Sequence, residues 1–307
     1  MDKKTVTIIG SYNVALFLKS EYLPSVGETV IADEYIESVG GKGSNQAVVA
    51  ARFGADTRFI GRIGIDPHGK KGLAMYKELG IATDFIIIDE NAHSGIGISF
   101  VDKDGRNMIS VAPGANYYLS REDIDSAEKA IKDSFVIGFQ LQNSLDTVFY
   151  GIRKAHDLGV MTFLDPSPVT RIPEDLYTCI DIIKPNDVEA SILTSIPVSD
   201  RSSAEASGEW FVQHGVQTAI VSLGAGGAVL VTNDKKDYFP APVINAVDTT
   251  GAGDVFIGSL LAMLSNGKSF EETIPFAVHA GALATRGYGV VDCIPDTHEV
   301  IELMNSA

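Results

Sequence analysis

The stretch FVIGF at residues 135–139 is apolar throughout, and AIVSL at residues 219–223 is apolar at four of its five positions. A strand without a polar face is buried on both sides, as in a parallel sheet that helices cover on both faces. Further β-branched and aromatic runs begin at residues 6, 59, 85, 161, 182 and 228, with amphipathic segments between most of them. The pattern predicts an α/β fold, a three-layer αβα sandwich with a mainly parallel central sheet.

Two segments instead alternate polar and apolar residues: residues 28–39 (ETVIADEYIESV) and residues 96–111 (IGISFVDKDGRNMISV). Alternation with period two is typical of a sheet with one solvated face, and Asp104-Gly105 is a strong hairpin signal. These segments predict a small antiparallel β lid, with strands from about residues 12–39 and 96–111. Their apolar residues exceed what a small sheet can bury, which predicts that lids pair in a homodimer.

The composition indicates an ordinary globular protein, because 45% of the 307 residues are hydrophobic and 21% are charged. Without an internal repeat or a Pro-rich linker, residues 1–307 predict a single domain. The net charge of -16 argues against nucleic acid or an anionic membrane as partner. No apolar run approaches the ~20 residues of a membrane span. The two cysteines lack paired spacing, so we expect a cytoplasmic protein.

The densest functional signal is DTTGAGDVFIGSL at residues 248–260, which runs into an apolar helical pattern. The glycines on either side of Ala252 leave consecutive backbone N–H groups exposed at a helix start, where the helix dipole also attracts anions. Gly251, Ala252 and Gly253 therefore predict an anion hole. Asp254 in the first helical turn would take a proton from an attacking hydroxyl. The alternative is that Asp254 only complements the helix dipole.

The stretch GGKGSNQA at residues 40–47 opens a second helix, predicted over Asn45 to Phe53. Its glycines permit close backbone approach by a ligand, Lys42 supplies a cation, and Asn45 offers both a donor and an acceptor to sugar hydroxyls. The alternative is a connecting loop with an exposed lysine. No Walker A or dinucleotide fingerprint is complete, which disfavours a nicotinamide oxidoreductase.

Two further motifs follow predicted strands. In KPNDVE at residues 184–189, Asn186 caps a helix whose first turn holds Asp187 and Glu189; such acidic residues are usually structural, but could hold magnesium through water. In SLGAGG at residues 222–227, glycines form a turn where α/β sheets bind ligands. A hairpin turn would need the same glycines.

Taken together, these motifs resemble the ribokinase (PfkB) family of carbohydrate kinases over essentially the whole chain. GGKGSNQAVVAARFGA followed by FIGRIGIDPHG is similar to the first family signature, and DTTGAGDVFIGSL is similar to the second. The resemblance implies an αβα sandwich with a β lid that transfers the γ-phosphoryl group of ATP to the primary hydroxyl of a sugar with Mg²⁺. It also implies a dimer that is formed through the lids.

The resemblance assigns roles to single residues. Asp254 is the general base beside the anion hole, and the sugar side comprises Asn13, Gly41, Lys42, Asn45 and Gln142. Asn186 and Glu189 belong to the motif that positions magnesium and phosphate. Ser222, Gly224 and Gly227 line the nucleotide site together with His279, which could equally be a core residue. The family often uses potassium, which implicates Asp248 and the backbone near Thr250, Arg286 and Gly289.

Two positions depart from the family pattern. After Asn13 the expected sugar-binding aspartate is Ala15, and the expected glutamate of the family's QLE motif is Gln142. A carboxylate bound to a sugar hydroxyl forms charge-assisted hydrogen bonds of about 1.5–3 kcal/mol each. We therefore expect ribose to be a poor substrate, and a deoxysugar or a bulkier sugar to fit better. A nucleoside kinase of the same superfamily and a non-catalytic sugar sensor are the alternatives.

Overall fold

The computed structural model describes residues 4–287 and 289–306, and within these residues the strands form two sheets. In chain order the strands are β1 Thr5–Ile9, β2 Asn13–Ser20, β3 Glu34–Gly40, β4 Asp56–Gly64, β5 Ala82–Asp89, β6 Gly95–Asp102, β7 Asn107–Ala112, β8 Val136–Gln140, β9 Met161–Asp165, β10 Ile182–Ile183, β11 Thr218–Ser222, β12 Ala228–Val231 and β13 Lys236–Phe239. The helices are α1 Lys42–Arg52, α2 Pro67–Glu78, α3 Arg121–Ser126, α4 Glu128–Lys132, α5 Leu145–Asp157, α6 Asp187–Thr194, α7 Arg201–Gln213, α8 Ala252–Ser265, α9 Phe270–Ala284 and α10 Thr297–Asn305.

The larger sheet has the order β13-β12-β11-β10-β9-β8-β1-β4-β5. It is parallel from β11 to β5, and β12 and β13 form an antiparallel edge. Ile8 of β1 packs in the apolar cluster that contains α1, α8 and α9, whereas the next residue, Ile9, packs with α3, α5 and α7. Because consecutive strand residues point to opposite faces, helices cover both faces of the sheet. The predicted αβα sandwich is confirmed.

The smaller sheet, the lid, has the order β3-β2-β6-β7. Its outer pairs are antiparallel as predicted, but the central pair β2–β6 is parallel. β2 and β6 directly follow the parallel core strands β1 and β5, so both leave the core in the same direction. The hairpin predicted at Asp104-Gly105 joins β6 to β7, and Gly105 has φ 81°.

Two boundaries differ from the sequence prediction. The alternating segment from residue 28 forms a regular strand only from Glu34, since residues 28–33 lie in a turn-containing connection that Glu28 fixes by accepting the Ser25 N–H at 2.9 Å. The helix expected from Asn45 begins at Lys42. None of the helices in the described ranges combines the length and apolar character that a membrane span requires.

Candidate active site

A cavity of about 490 Å³ lies between the lid and the ends of core strands β1 and β8. We call it the lid cavity. Its wall includes Asp254 and Gly251 of the predicted anion hole. It also includes every residue predicted on the sugar side, namely Asn13, Gly41, Lys42, Asn45 and Gln142.

Helix α8 begins at the predicted anion hole. Gly251 is its N-cap with φ 77°, and a Cβ atom there would lie 2.2 Å from Cγ2 of Val290, so only glycine fits. The Ala252 N–H donates to the Thr249 carbonyl at 3.3 Å. The first N–H groups of a helix lack intrahelical acceptors, so donors remain in the first turn, which also contains Asp254.

Asp254 is buried and receives hydrogen bonds from helix α1. Its Oδ2 accepts from Asn45 Nδ2 at 2.8 Å, and its Oδ1 accepts from Gln46 Nε2 at 3.1 Å. Lys42 Nζ lies 3.8 Å from the same Oδ1. These α1 residues are three and four positions apart, which places their side chains on one helix face. The carboxylate is therefore held in place by donors and stays within reach of the lid cavity.

Gly41 brings α1 to this position. It has φ 92°, and a Cβ atom there would lie 2.7 Å from the backbone nitrogen of Asn13. A Cβ on Gly43 would likewise lie 2.7 Å from Cα of Gly10. The sequence analysis predicted that these glycines let a ligand approach the backbone. In the structure, their missing side chains also let other parts of the protein's own backbone pack closely against them.

Asp165, at the end of β9, was missed by the sequence analysis. Its Oδ2 accepts from Gln46 Nε2 at 2.9 Å and lies 3.4 Å from Lys42 Nζ. Burial raises the pKa of Asp165 to about 6, and Asp254 adds to the rise against the opposing effect of Lys42. An acidic residue directly after the strand MTFL, which is apolar at three of its four positions, was the available signal, because it lies at the ligand-binding end of that strand.

Two lysines belong to the same network. Burial lowers the pKa of Lys42, but Asp165, Asp254 and Glu189 outweigh burial, and the net pKa is raised. Lys184, which was also missed as a site residue, is buried, and burial lowers its pKa. The acidic chain thus concentrates two cations at this site.

The amides on the sugar side have defined orientations. Gln142 Oε1 accepts from the Ser11 hydroxyl at 2.5 Å and from the Lys42 N–H at 3.0 Å. Asn13 Oδ1 accepts from Asn116 Nδ2 at 2.8 Å. Because both oxygens are engaged, each residue keeps its amide N–H groups as donors for a ligand.

The residues predicted for the nucleotide lie outside the wall of the lid cavity. Asn186 and Glu189 form a reciprocal capping box at α6, with N–H to oxygen distances of 2.8 and 2.9 Å. Asn186 also pairs with Ser222 in a short parallel bridge, which brings these two motifs together. Gly224 and Gly227 form the turn of the antiparallel β11–β12 hairpin, so the hairpin interpretation describes their geometry.

His279 is buried in α9. Its Nδ1 donates to the Pro275 carbonyl at 2.7 Å, while Nε2 has no hydrogen-bond partner among the described residues. Its burial fits a core residue, and the unpartnered nitrogen leaves a ligand role open.

The two predicted metal residues belong to different parts of the site. Glu189 caps α6, whereas Asp248 lines the lid cavity and accepts from the Thr250 N–H at 2.9 Å and from its hydroxyl at 2.7 Å. Within residues 4–287 and 289–306, no group of three His, Cys, Asp or Glu side chains could hold a metal ion. Mg²⁺ usually binds through waters and one or two carboxylates, for which Glu189 alone suffices.

Known proteins resemble this chain over nearly its whole length. Residues 3–297 match the family described as pfkB family carbohydrate kinase. A ribokinase of Haemophilus influenzae is 35% identical over 305 residues, which cover 99% of this chain and 100% of that protein. A deoxyribokinase of Salmonella typhi is 32% identical over 301 residues, 98% of each chain. The structure of Arabidopsis thaliana ribokinase complexed with ribose and ATP has a TM-score of 0.88 at 30% identity, and the match covers 98% of this chain and 99% of that one.

Proposed function

The chain belongs to the pfkB family of carbohydrate kinases, and from this premise we propose that it transfers the γ-phosphoryl group of ATP to the primary hydroxyl of a small sugar other than ribose. The observation that carries the proposal is the Asp254 carboxylate, which Asn45 and Gln46 hold at the wall of the lid cavity and in the first turn of α8.

In the proposed mechanism Asp254 is the general base. A sugar CH₂OH group in the lid cavity would give its proton to the carboxylate as its oxygen attacks phosphorus. The anion hole and Lys42 would stabilise the charge on the phosphoryl oxygens. Asn186 and Glu189 are the residues that would hold Mg²⁺ through water, and the ion would neutralise charge between the phosphate groups.

The sugar preference follows from Ala15 and Gln142. Ala15 lines the lid cavity, but an alanine cannot accept a bond from the hydroxyl pair that an aspartate would hold. Gln142 can offer N–H donors, because its oxygen is occupied by Ser11 and Lys42. A relative named deoxyribokinase supports a deoxypentose as one such substrate. The proposed acceptor is therefore a deoxypentose or a pentose other than ribose.

A nucleoside is the second candidate. The lid cavity extends along the inner lid face beyond Ala15 to Phe17, Ser99 and Val101, so a substituent larger than a hydroxyl has room. A sugar sensor is disfavoured, because a sensor needs no carboxylate base beside an anion hole.

Three further proposals concern the environment of the site. We propose a homodimer through the lids, because apolar lid residues are exposed: Tyr35, Met108, Ile109 and Val111. Potassium near Asp248 and a cytoplasmic location both stay predictions from the sequence.

The deciding experiment incubates the protein with ATP, Mg²⁺ and one acceptor at a time, and identifies products by mass. The panel contains ribose, 2-deoxyribose, ketohexoses and nucleosides. We expect a phosphorylated deoxypentose or larger acceptor to form with a higher kcat/KM than ribose phosphate. Absence of product with every acceptor would favour the sensor, and a preference for ribose would contradict the proposed pocket.

A further inference from the structure

Lys184 lies directly beneath the N-terminus of α8. It follows β10, where its backbone N–H donates to the Leu164 carbonyl at 3.0 Å, and only 5% of the residue is exposed. A Cβ atom on Gly253 would lie 3.7 Å from Lys184 Nζ, and the ring of Phe256 lies 5.2 Å from the same nitrogen. The ammonium group is therefore next to the anion hole.

Lys184 Nζ forms neither an ion pair nor a hydrogen bond with any residue that the structure describes, apart from its position over the Phe256 ring. Asp165, Glu189 and Asp254 are close enough to act on its charge but do not contact it. Lys42 differs, because it lies 3.4 Å from Asp165. A buried ammonium without a hydrogen-bond acceptor is costly, so its presence points to an anion that completes it.

We propose that Lys184 is a catalytic residue that contacts the transferred phosphoryl group beside the anion hole, in addition to Lys42. The inference rests on the proposed function, since it requires phosphoryl transfer from ATP. The two lysines and the N–H groups of α8 would together surround the phosphoryl oxygens with positive charge. Lysine suits this role as a compact point charge that binds phosphate without a fixed plane.

Phosphoryl transfer does not change the protonation state of Lys184. A bond forms between the sugar oxygen and the γ-phosphorus, and the bond between that phosphorus and the β–γ bridging oxygen breaks. The electron pair of the broken bond stays on ADP, and the hydroxyl proton passes to Asp254. Lys184 keeps its protons and stabilises the negative charge of the phosphoryl oxygens throughout.

The competing explanation is that Lys184 only balances the buried negative charge of Asp165 and Glu189. The two explanations differ in how Lys184 depends on Asp165. If Lys184 binds phosphate, its removal costs the same whether or not Asp165 is charged. If it is a counter-ion, its removal costs less once Asp165 is neutral, because only part of the negative charge around it then remains.

The test is a double-mutant cycle with Lys184→Met, Asp165→Asn and the double variant, together with Lys184→Arg. Phosphoryl transfer from ATP to the best acceptor is first measured with the wild type. If the wild type transfers nothing, the proposed function is contradicted, and the mutant cycle is then evaluated from nucleotide binding alone. The second readout is calorimetric affinity for AMP-PNP, which has a γ-phosphoryl group, and for ADP, which lacks one.

We expect Lys184→Met to lower kcat by at least ~100-fold, the effect of removing one donor to a transition-state anion. We also expect a loss of about tenfold or more in AMP-PNP affinity, a smaller loss for ADP, equal losses in the Asp165→Asn background, and partial rescue by Lys184→Arg. Unchanged AMP-PNP affinity, or a loss that is clearly smaller in the Asp165→Asn background, would overturn the inference. If Lys184→Met alone does not fold, the double variant is compared with Asp165→Asn. The double variant removes one charge of each sign, and the difference between these two variants measures the effect of Lys184.

Discussion

Asn45 Nδ2 donates to Asp254 Oδ2 at 2.8 Å, and this bond joins two residues that are 209 positions apart in the chain. It links the start of α1 to the first turn of α8, so the two sequence motifs form one site. Both ends of the bond are buried, which makes it stronger than a comparable contact in water. The position of the proposed base therefore depends on a helix from the other end of the chain.

The first prediction concerns this base. Asp254→Asn keeps the shape and the buried volume of the side chain but cannot accept the proton of the attacking hydroxyl. We expect kcat to fall by roughly 10² or more, with the affinity for ATP near that of the wild type. Steady-state kinetics with the best acceptor and calorimetric binding of ATP provide the two measurements.

Glu299→Gln is the matched control, because Glu299 is also an acidic residue in the first turn of a helix, α10, and is exposed. If Asp254 only complements its helix dipole, both variants lose about 0.3–1 kcal/mol of stability and neither loses activity. Full activity in Asp254→Asn would remove the proposed mechanism.

The second prediction concerns pH. The pKa of Asp165 is about 6 in the folded protein against an ordinary value of 3.8, and burial is the main cause. A group whose pKa is raised on folding contributes stability that is present below pH 3.8 and is lost as pH rises through about 6. Asp165→Asn removes this titration. Relative to the wild type, its free energy of unfolding should rise by up to ~3 kcal/mol between pH 4 and pH 7.

Urea unfolding of both proteins at several pH values measures the difference. Asp146→Asn serves as the control, because that carboxylate pairs with Arg121 at the surface. A difference between Asp165→Asn and the wild type that is constant from pH 4 to pH 7 would show that Asp165 does not titrate in this range.

Local patterns were sufficient to predict the layers of the fold. The doubly buried runs at β8 and β11 require helices on both faces, and the structure has them. The lid needed more than alternation, because the alternating segment that begins at residue 28 forms a regular strand only from Glu34. The parallel β2–β6 pair depends on where the core strands end, which no local pattern encodes.

The candidate site was predictable only where a motif surrounds a residue. Asp254 and Lys42 lie in glycine-rich stretches that are typical of a helix start. Asp165 lies in no such motif, and its hydrogen bond from Gln46 forms only in the folded chain, across 119 positions. The importance of Asp165 comes from burial and nearby charge, and neither can be read from sequence spacing.

The third prediction concerns assembly through the lid. Met108 lies in β7 at the edge of the lid, outside the wall of the lid cavity, and is 46% exposed, as is expected of a residue that a second copy covers. We expect the wild type to sediment as a dimer at micromolar concentration and Met108→Glu to sediment as a monomer with lower activity. Ile301→Glu, at a similarly exposed position on α10, should remain dimeric. A fully active wild-type monomer would show that the lid works alone.

The last prediction tests the sugar pocket through Ala15, which lines the lid cavity on the lid side. Ala15→Asp restores a carboxylate that can accept bonds from sugar hydroxyls, and should improve ribose binding by about 1.5–3 kcal/mol. The gain should appear mainly in KM, because Asp254 and the reacting CH₂OH end are untouched. The same variant should bind the preferred substrate less well, since a buried carboxylate without a hydroxyl partner, or one that collides with a bulkier sugar, is costly. Ser110→Asp, on an exposed position of β7, adds the same charge to the lid outside the cavity wall and should leave both KM values unchanged. If the wild type already uses ribose with a micromolar KM and Ala15→Asp changes nothing, other residues hold the hydroxyls, and the assignment of Ala15 as the position that excludes ribose is wrong.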